Sequence, residues 1–170
     1  MQDQLELLAL LDAQMKLLEK AIEQEHAGDE QARRLQSLPG MGKILGAVAA
    51  SEIEDISRFV RAEKLCAYAG LVPTTRASGG KIRHGRLLYA CNHYLQWAFI
   101  EAAWIAIGCD GYFAALYRRH RARGKGANEA ITITAHRMCQ IAWSLLREQR
   151  DYTANIPKPR SLSPAAAVFR

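Results

Sequence analysis

Apolar residues recur at helical spacing along almost the whole chain. Over residues 3–27, Leu8, Leu11, Met15, Leu18 and Ile22 follow at intervals of three, four, three and four, a heptad seam of about two and a half repeats. Leu7, Leu10 and Leu17 widen that face, and the stretch is rich in Leu, Glu, Gln and Lys, with no Pro or Gly before Gly28. A seam this short does not hold an isolated coiled coil together. The helix is therefore expected to pack on its own domain or on the same helix of a second chain. Gly28 and Asp29 then read as a C-cap and the next N-cap.

Further helices follow. Residues 35–53, LQSLPGMGKILGAVAASEI, predict a short helix ending at Leu38, a tight turn Pro39-Gly40-Met41-Gly42, and a small-residue helix from near Lys43, where Ala47, Ala49 and Ala50 permit close packing. Short helices are expected at Ser57-Arg58-Phe59 and over 61–69. Residues 87–107, the most apolar stretch, predict a central helix buried on most of its circumference, with Tyr94, Trp97 and Trp104 in the core. Asp110 caps a helix over 110–123. A last helix over 127–149 carries Ile131, Ala135, Met138, Ala142 and Leu145 at helical spacing. The pattern predicts an all-α chain: a coiled-coil-like helix over 1–28, a helical domain over 29–150 and a mobile tail over 151–170 with Pro157, Pro159 and Pro164.

Residues 70–86, GLVPTTRASGGKIRHGR, lack helical periodicity. Pro73, Gly79, Gly80 and Gly85 argue for a long loop. Its charges are of one sign, Arg76, Lys81, Arg83 and Arg86, with His84 among them, and Ser78 stands before two glycines. A loop this long in a compact domain is usually functional or disordered. We read it as a place where a phosphate backbone is held and the Ser78 hydroxyl is presented to it; the bland alternative is a turn-forming serine.

Composition sharpens the picture. In 170 residues, 23 Lys and Arg face 17 Asp and Glu, a net charge of +6, which favours a polyanionic partner, nucleic acid first. No run of about 18 uncharged apolar residues suggests a membrane span, and the acidic start MQDQLELL lacks the basic region of a secretory signal, so a cytoplasmic protein is expected. The cysteines, Cys66, Cys91, Cys109 and Cys139, form no C-x-x-C pair and read as reduced thiols. Cys91 with His93, and His136 with Cys139, are half-sites for zinc without matching partners, so no metal site is assigned. There is no Walker loop, dinucleotide fingerprint or H-E-x-x-H. The carboxylates beyond residue 55, Glu63, Glu101, Asp110, Glu129, Glu148 and Asp151, do not form a two-metal nuclease pattern.

Three further stations for nucleic acid are expected. The Pro-Gly turn resembles a helix-hairpin-helix, in which Gly40 and Gly42 let backbone N–H groups approach a phosphate and Lys43 adds charge; an αα-hairpin without ligand is the alternative. Asn92 and Gln96 share one helix face beside the basic loop, where they either bond a phosphate or satisfy loop carbonyls. The run Arg118, Arg119, Arg121, Arg123 and Lys125 carries the same sign as the loop and is expected to share its surface.

The order of these motifs resembles a known family. LQSLPGMG, then ISRFVRAEKLCAYAGLVPTTRASGGK, then N-x-Y-L at Asn92 with IEAAW, then YRRHRARGK and the final helix, is similar to the C-terminal half of transposases of the insertion-sequence one-ten, one-sixteen and nine-oh-two group. The specific part is RF-x-x-x-x-x-L-x-x-YAGLVP followed by SGG. The resemblance implies a DNA recombinase in which an N-terminal RNase H-like domain binds magnesium through four acidic residues, and a C-terminal domain supplies a serine that forms a phosphoserine link to DNA. It implies dimers or tetramers, guided by a structured RNA, with the leading helix as a coiled-coil connector. That serine corresponds to Ser78, the flexible flank to Gly79 and Gly80, and the family's Asn to Asn92. Two positions depart: Cys91 stands for the usual Gly, and Gln96 for the usual Arg. The acidic half is not among these residues, so the chain is expected to be idle alone and to hold no cofactor. In that assembly Arg76, Lys81 and Arg83 would stabilise charge on the phosphorane-like transition state, and the proton would pass to His84 or to the acidic half. The rival reading is a non-catalytic module that binds DNA or RNA, or dimerises through the leading helix.

Overall fold

The computed structural model describes the backbone of residues 2–78, 81–87 and 90–153, and the side chains of 3–72 and 90–153. The proline-bearing tail and the Gly79-Gly80 pair lie outside the described residues.

The body is all-α. Its elements are α1 (Gln2–Glu25), α2 (Glu30–Gln36), α3 (Lys43–Ile53), a single 3-10 turn (Ile56–Arg58), α4 (Ala62–Tyr68), α5 (His93–Cys109), α6 (Gly111–Ala122) and α7 (Ala127–Glu148). Local chemistry sets their ends. The Asp29 carboxylate accepts from the N–H groups of Gln31 and Ala32 and starts α2, and Asp110 does the same for Tyr112 and Phe113 at α6. The Asn92 side-chain oxygen caps α5 through the Leu95 N–H.

The long loop expected over 70–86 is instead a β-hairpin. Strand β1 (Pro73–Ser78) pairs antiparallel with β2 (Lys81–Leu87), with an irregularity between Pro73 and Thr75. The two strands leave exactly two residues, both glycine, between them, the connection that suits a tight hairpin turn.

α7 is the axis of the body. Its face of Ile131, Ala135, Met138, Ala142 and Leu145 is buried, and α2, α4, α5 and α6 all pack against it. On α5 the buried set is Leu95, Ala98, Phe99, Ala102, Ala103 and Ala106. The aromatic residues expected in the core fall elsewhere: Tyr94, Trp97 and Trp104 are exposed, because the apolar positions of α5 exceed what one packed face can take. α3 lies antiparallel to α5, since Gly40 in the turn that leads into it abuts Ala102 and Ala106 while Glu52 near its end meets Asn92. α5 bends into α6 through 102°, and no single described helix is long and apolar enough to cross a membrane.

Among the described residues α1 touches the body near its C-terminal end, against α3. Its leucines, from Leu5 to Leu18, are exposed.

Candidate nucleic-acid interface

The hairpin concentrates the candidate residues. Its register places Arg76 opposite Arg83, Thr75 opposite His84, and Ser78 opposite Lys81 at the far end of the ladder. Arg86 lies further down β2. Ser78 is thus the last residue of β1, next in sequence to Gly79-Gly80, with a cationic residue type across from it.

The hairpin leaves the body through a closely tied root. Gly70 has φ +64°, and a Cβ there would stand 2.4 Å from Cys91 Sγ, so only glycine fits. Gln96 Nε2 donates to the Gly70 carbonyl at 2.9 Å, and the Leu71 N–H donates to the Cys66 carbonyl at 2.9 Å. On the returning limb the Asn92 N–H donates to the Tyr68 carbonyl at 2.9 Å. Asn92 Nδ2 donates to Glu52 Oε2 at 2.5 Å and to the Tyr68 hydroxyl at 3.1 Å. Both ends of the Asn92 amide are therefore engaged within the chain, and Gln96 satisfies a loop carbonyl. Arg58 lies over the Tyr68 ring, 5.4 Å from its centroid, and pairs with Glu54 at 2.7 Å. A hollow lined by Tyr68, Ala90, Cys91 and Asn92 opens beside this root. Glu52 and Tyr68 were not legible as site residues; no motif marks them.

The Pro-Gly turn lies elsewhere. Gly40 has φ +80°, and a Cβ on it would come 2.2 Å from the Ala102 carbonyl oxygen. Its missing side chain admits the backbone of α5. Gly42 is exposed and gives α3 no side-chain cap, which leaves the N–H groups of that first turn without a capping side chain. Lys43 Nζ is 3.0 Å from Glu23 of α1, so its charge is partly answered inside the chain. From Asn92 to Ala102 α5 rises about 15 Å, which separates this turn from the hairpin root.

The third station is the end of α6. Arg118, Arg119, Arg121 and Arg123 are exposed, and Lys125 pairs with Glu129. Because α6 departs from the other end of α5, this run does not adjoin the hairpin root. His120, among these cations, is held below the ordinary histidine value of 6.5 by burial and by Arg119, Arg123 and Lys125.

A buried thiol cluster completes the inventory. Cys66 Sγ donates to the His136 carbonyl at 3.7 Å, and hydrogen bonding from Cys139, reinforced by His136, favours its thiolate. Cys91 Sγ lies 3.8 Å from His93 Nδ1. Among the described residues no group of three or more His, Cys, Asp or Glu side chains is placed to hold a metal ion.

The sequence profile of the Transposase IS116/IS110/IS902 family matches residues 32–118, which run from α2 through the hairpin to the basic end of α6. The chain is 30% identical over 150 residues to the 44.8 kDa protein of insertion element IS116 from Streptomyces clavuligerus, covering 88% of this chain and 38% of that one. It is 32% identical over 123 residues to the 43.6 kDa protein of insertion element IS110 from Streptomyces coelicolor, covering 72% and 30%. It is 32% identical over 151 residues to the 42 kDa protein of insertion element IS900 from Mycobacterium paratuberculosis, covering 84% and 36%. The chain thus spans roughly a third of the length of these relatives, with the hairpin inside the matched part. The chain belongs to the Transposase IS116/IS110/IS902 family.

Proposed function

We propose that this chain is the nucleic-acid-holding and serine-bearing part of an insertion-sequence transposase. The observation that carries the reading is the hairpin: cations on both strands, with Ser78 at the end of the ladder, next in sequence to two glycines. Like charges at directly opposed positions, as in Arg76 and Arg83, are unfavourable alone, and a bound polyanion relieves them. The start of α3 and the end of α6 are further contacts along a polymer whose helical turn is about 34 Å, so stations apart on the protein suit one duplex.

In the chemistry proposed, Ser78 Oγ attacks a backbone phosphorus. The Oγ–P bond forms, the bond from phosphorus to one sugar oxygen breaks, and that oxygen leaves as a hydroxyl by taking a proton from water. The serine proton passes to a base, either His84 or a carboxylate of an acidic RNase H-like half. Arg76, Lys81 and Arg83 offset the charge that grows on the phosphoryl oxygens. The ester keeps the phosphate linked, so the strand is rejoined to a new hydroxyl without ATP. This chain acts with that acidic half and a structured guide RNA, and a second copy joins through α1, whose leucines are exposed.

The binding part is tested by the salt dependence of affinity for a labelled DNA duplex. The expected slope of log affinity against log salt weakens by about two when Arg76 and Arg83 are both changed to Ala. An unchanged slope would remove the hairpin from the interface.

A further inference from the structure

We propose that Gln96 and Glu52 are positioning residues that fix the direction in which the β-hairpin leaves the body, an inference that rests on the reading of the hairpin as the arm that carries the reacting serine. A two-stranded hairpin alone is marginally stable in water. Here β1 and β2 pack chiefly on each other, so the arm's direction is decided where its two limbs meet the helices. On the outgoing limb, Gln96 of α5 donates to the buried Gly70 carbonyl. On the returning limb, Glu52 of α3 accepts from the same Asn92 whose oxygen starts α5. Each bond joins one limb to a different long helix, and the Tyr68 hydroxyl and carbonyl link the two limbs through Asn92.

Gln96 has a specific consequence. Its donor reaches a carbonyl that has no side chain of its own to shield it, at a residue whose Cβ would strike Cys91. Without that donor the buried carbonyl loses this bond, and the limb is freed to rotate. A guanidinium at position 96 keeps an N–H donor, whereas a carboxylate replaces it with an acceptor facing an acceptor. An error of about 1 Å in the placement of a reacting group is enough to cost up to about a hundredfold in rate.

The test uses the full chain. Hydrogen exchange at the Leu71 and Asn92 amides is expected to speed up about tenfold in Gln96→Glu and in Glu52→Ala, and to return to the parent rate in Gln96→Arg, while amides of α7 stay protected. With the acidic half and guide RNA added, covalent adduct on a labelled DNA duplex falls about tenfold in the first two variants with duplex affinity unchanged, and Gln96→Arg restores it. Unchanged exchange at the root, or adduct that falls only as far as affinity does, would overturn the proposal. Because exchange is read on the chain alone, it decides the bracket even if Ser78→Ala leaves the adduct intact and the serine reading fails.

Discussion

Gly40 illustrates how a single residue sets the packing of two helices. Its φ of +80° and the 2.2 Å from an added Cβ to the Ala102 carbonyl oxygen leave no room for a side chain, and the obstacle is backbone. Gly40→Ala is expected to cost about 3 kcal/mol, from overpacking and a left-handed backbone together, read as a lowered midpoint in urea unfolding. Gly42→Ala, which meets nothing within 4 Å, is expected to change that midpoint far less. At Gly40 the missing side chain makes room for the backbone of α5, a use that a glycine pattern alone does not distinguish from room for a ligand. His120 gives a second prediction at this scale. Burial and its three cationic neighbours disfavour its imidazolium, so its ring protons should titrate below 6.5 by NMR. A DNA duplex bound along the end of α6 screens those cations, and the midpoint should rise on titration with duplex; a midpoint that does not move would take α6 out of the interface.

At the scale of elements, the hairpin and α1 are set apart from the packed body. Among the described residues the core lies around α7, and the hairpin strands contact chiefly each other along the backbone. Replacing residues 73–87 by a short Gly-Ser link should leave the thermal midpoint of the body within a few degrees while duplex affinity drops by an order of magnitude or more. Collapse of the whole fold would show the hairpin to be structural. The hairpin is legible in the sequence: Thr74, Thr75 and Ile82 favour strands, and a two-residue Gly-Gly link between such runs is a hairpin signal. Glycines mark loops and hairpin turns alike, so their number alone does not separate the two. The leading helix was legible from its spacing. Its seam of Leu8, Leu11, Met15 and Leu18 is exposed, and a chain starting at Asp29 is expected to sediment as a monomer where the full chain sediments as a dimer. Equal association states in the two would remove α1 from the assembly.

For the whole molecule, periodicity read the body well. The helix spacing, the Asp29 and Asp110 caps and the buried face of α7 follow from local rules that act within a turn or two. What resisted reading was nonlocal. Nothing in the spacing of α5 tells which of its apolar faces is packed, so Trp97, 47% exposed, was expected inside. Nor does any motif announce that Glu52, 40 positions upstream, bonds Asn92. Charge of one sign along the chain also gave no hint that α5 would hold the basic stations apart. The molecule is a helical body around α7 that holds out a cationic hairpin, and the central proposal is that the Ser78 hydroxyl on that hairpin reacts with the sugar–phosphate chain. The most direct measurement is mass spectrometry of the protein–DNA adduct formed when this chain is combined with an acidic RNase H-like half, guide RNA and a DNA duplex. The account predicts a phosphodiester-linked nucleotide on Ser78 and no adduct in Ser78→Ala. An adduct mapped to another residue, or one that persists in Ser78→Ala, would contradict it.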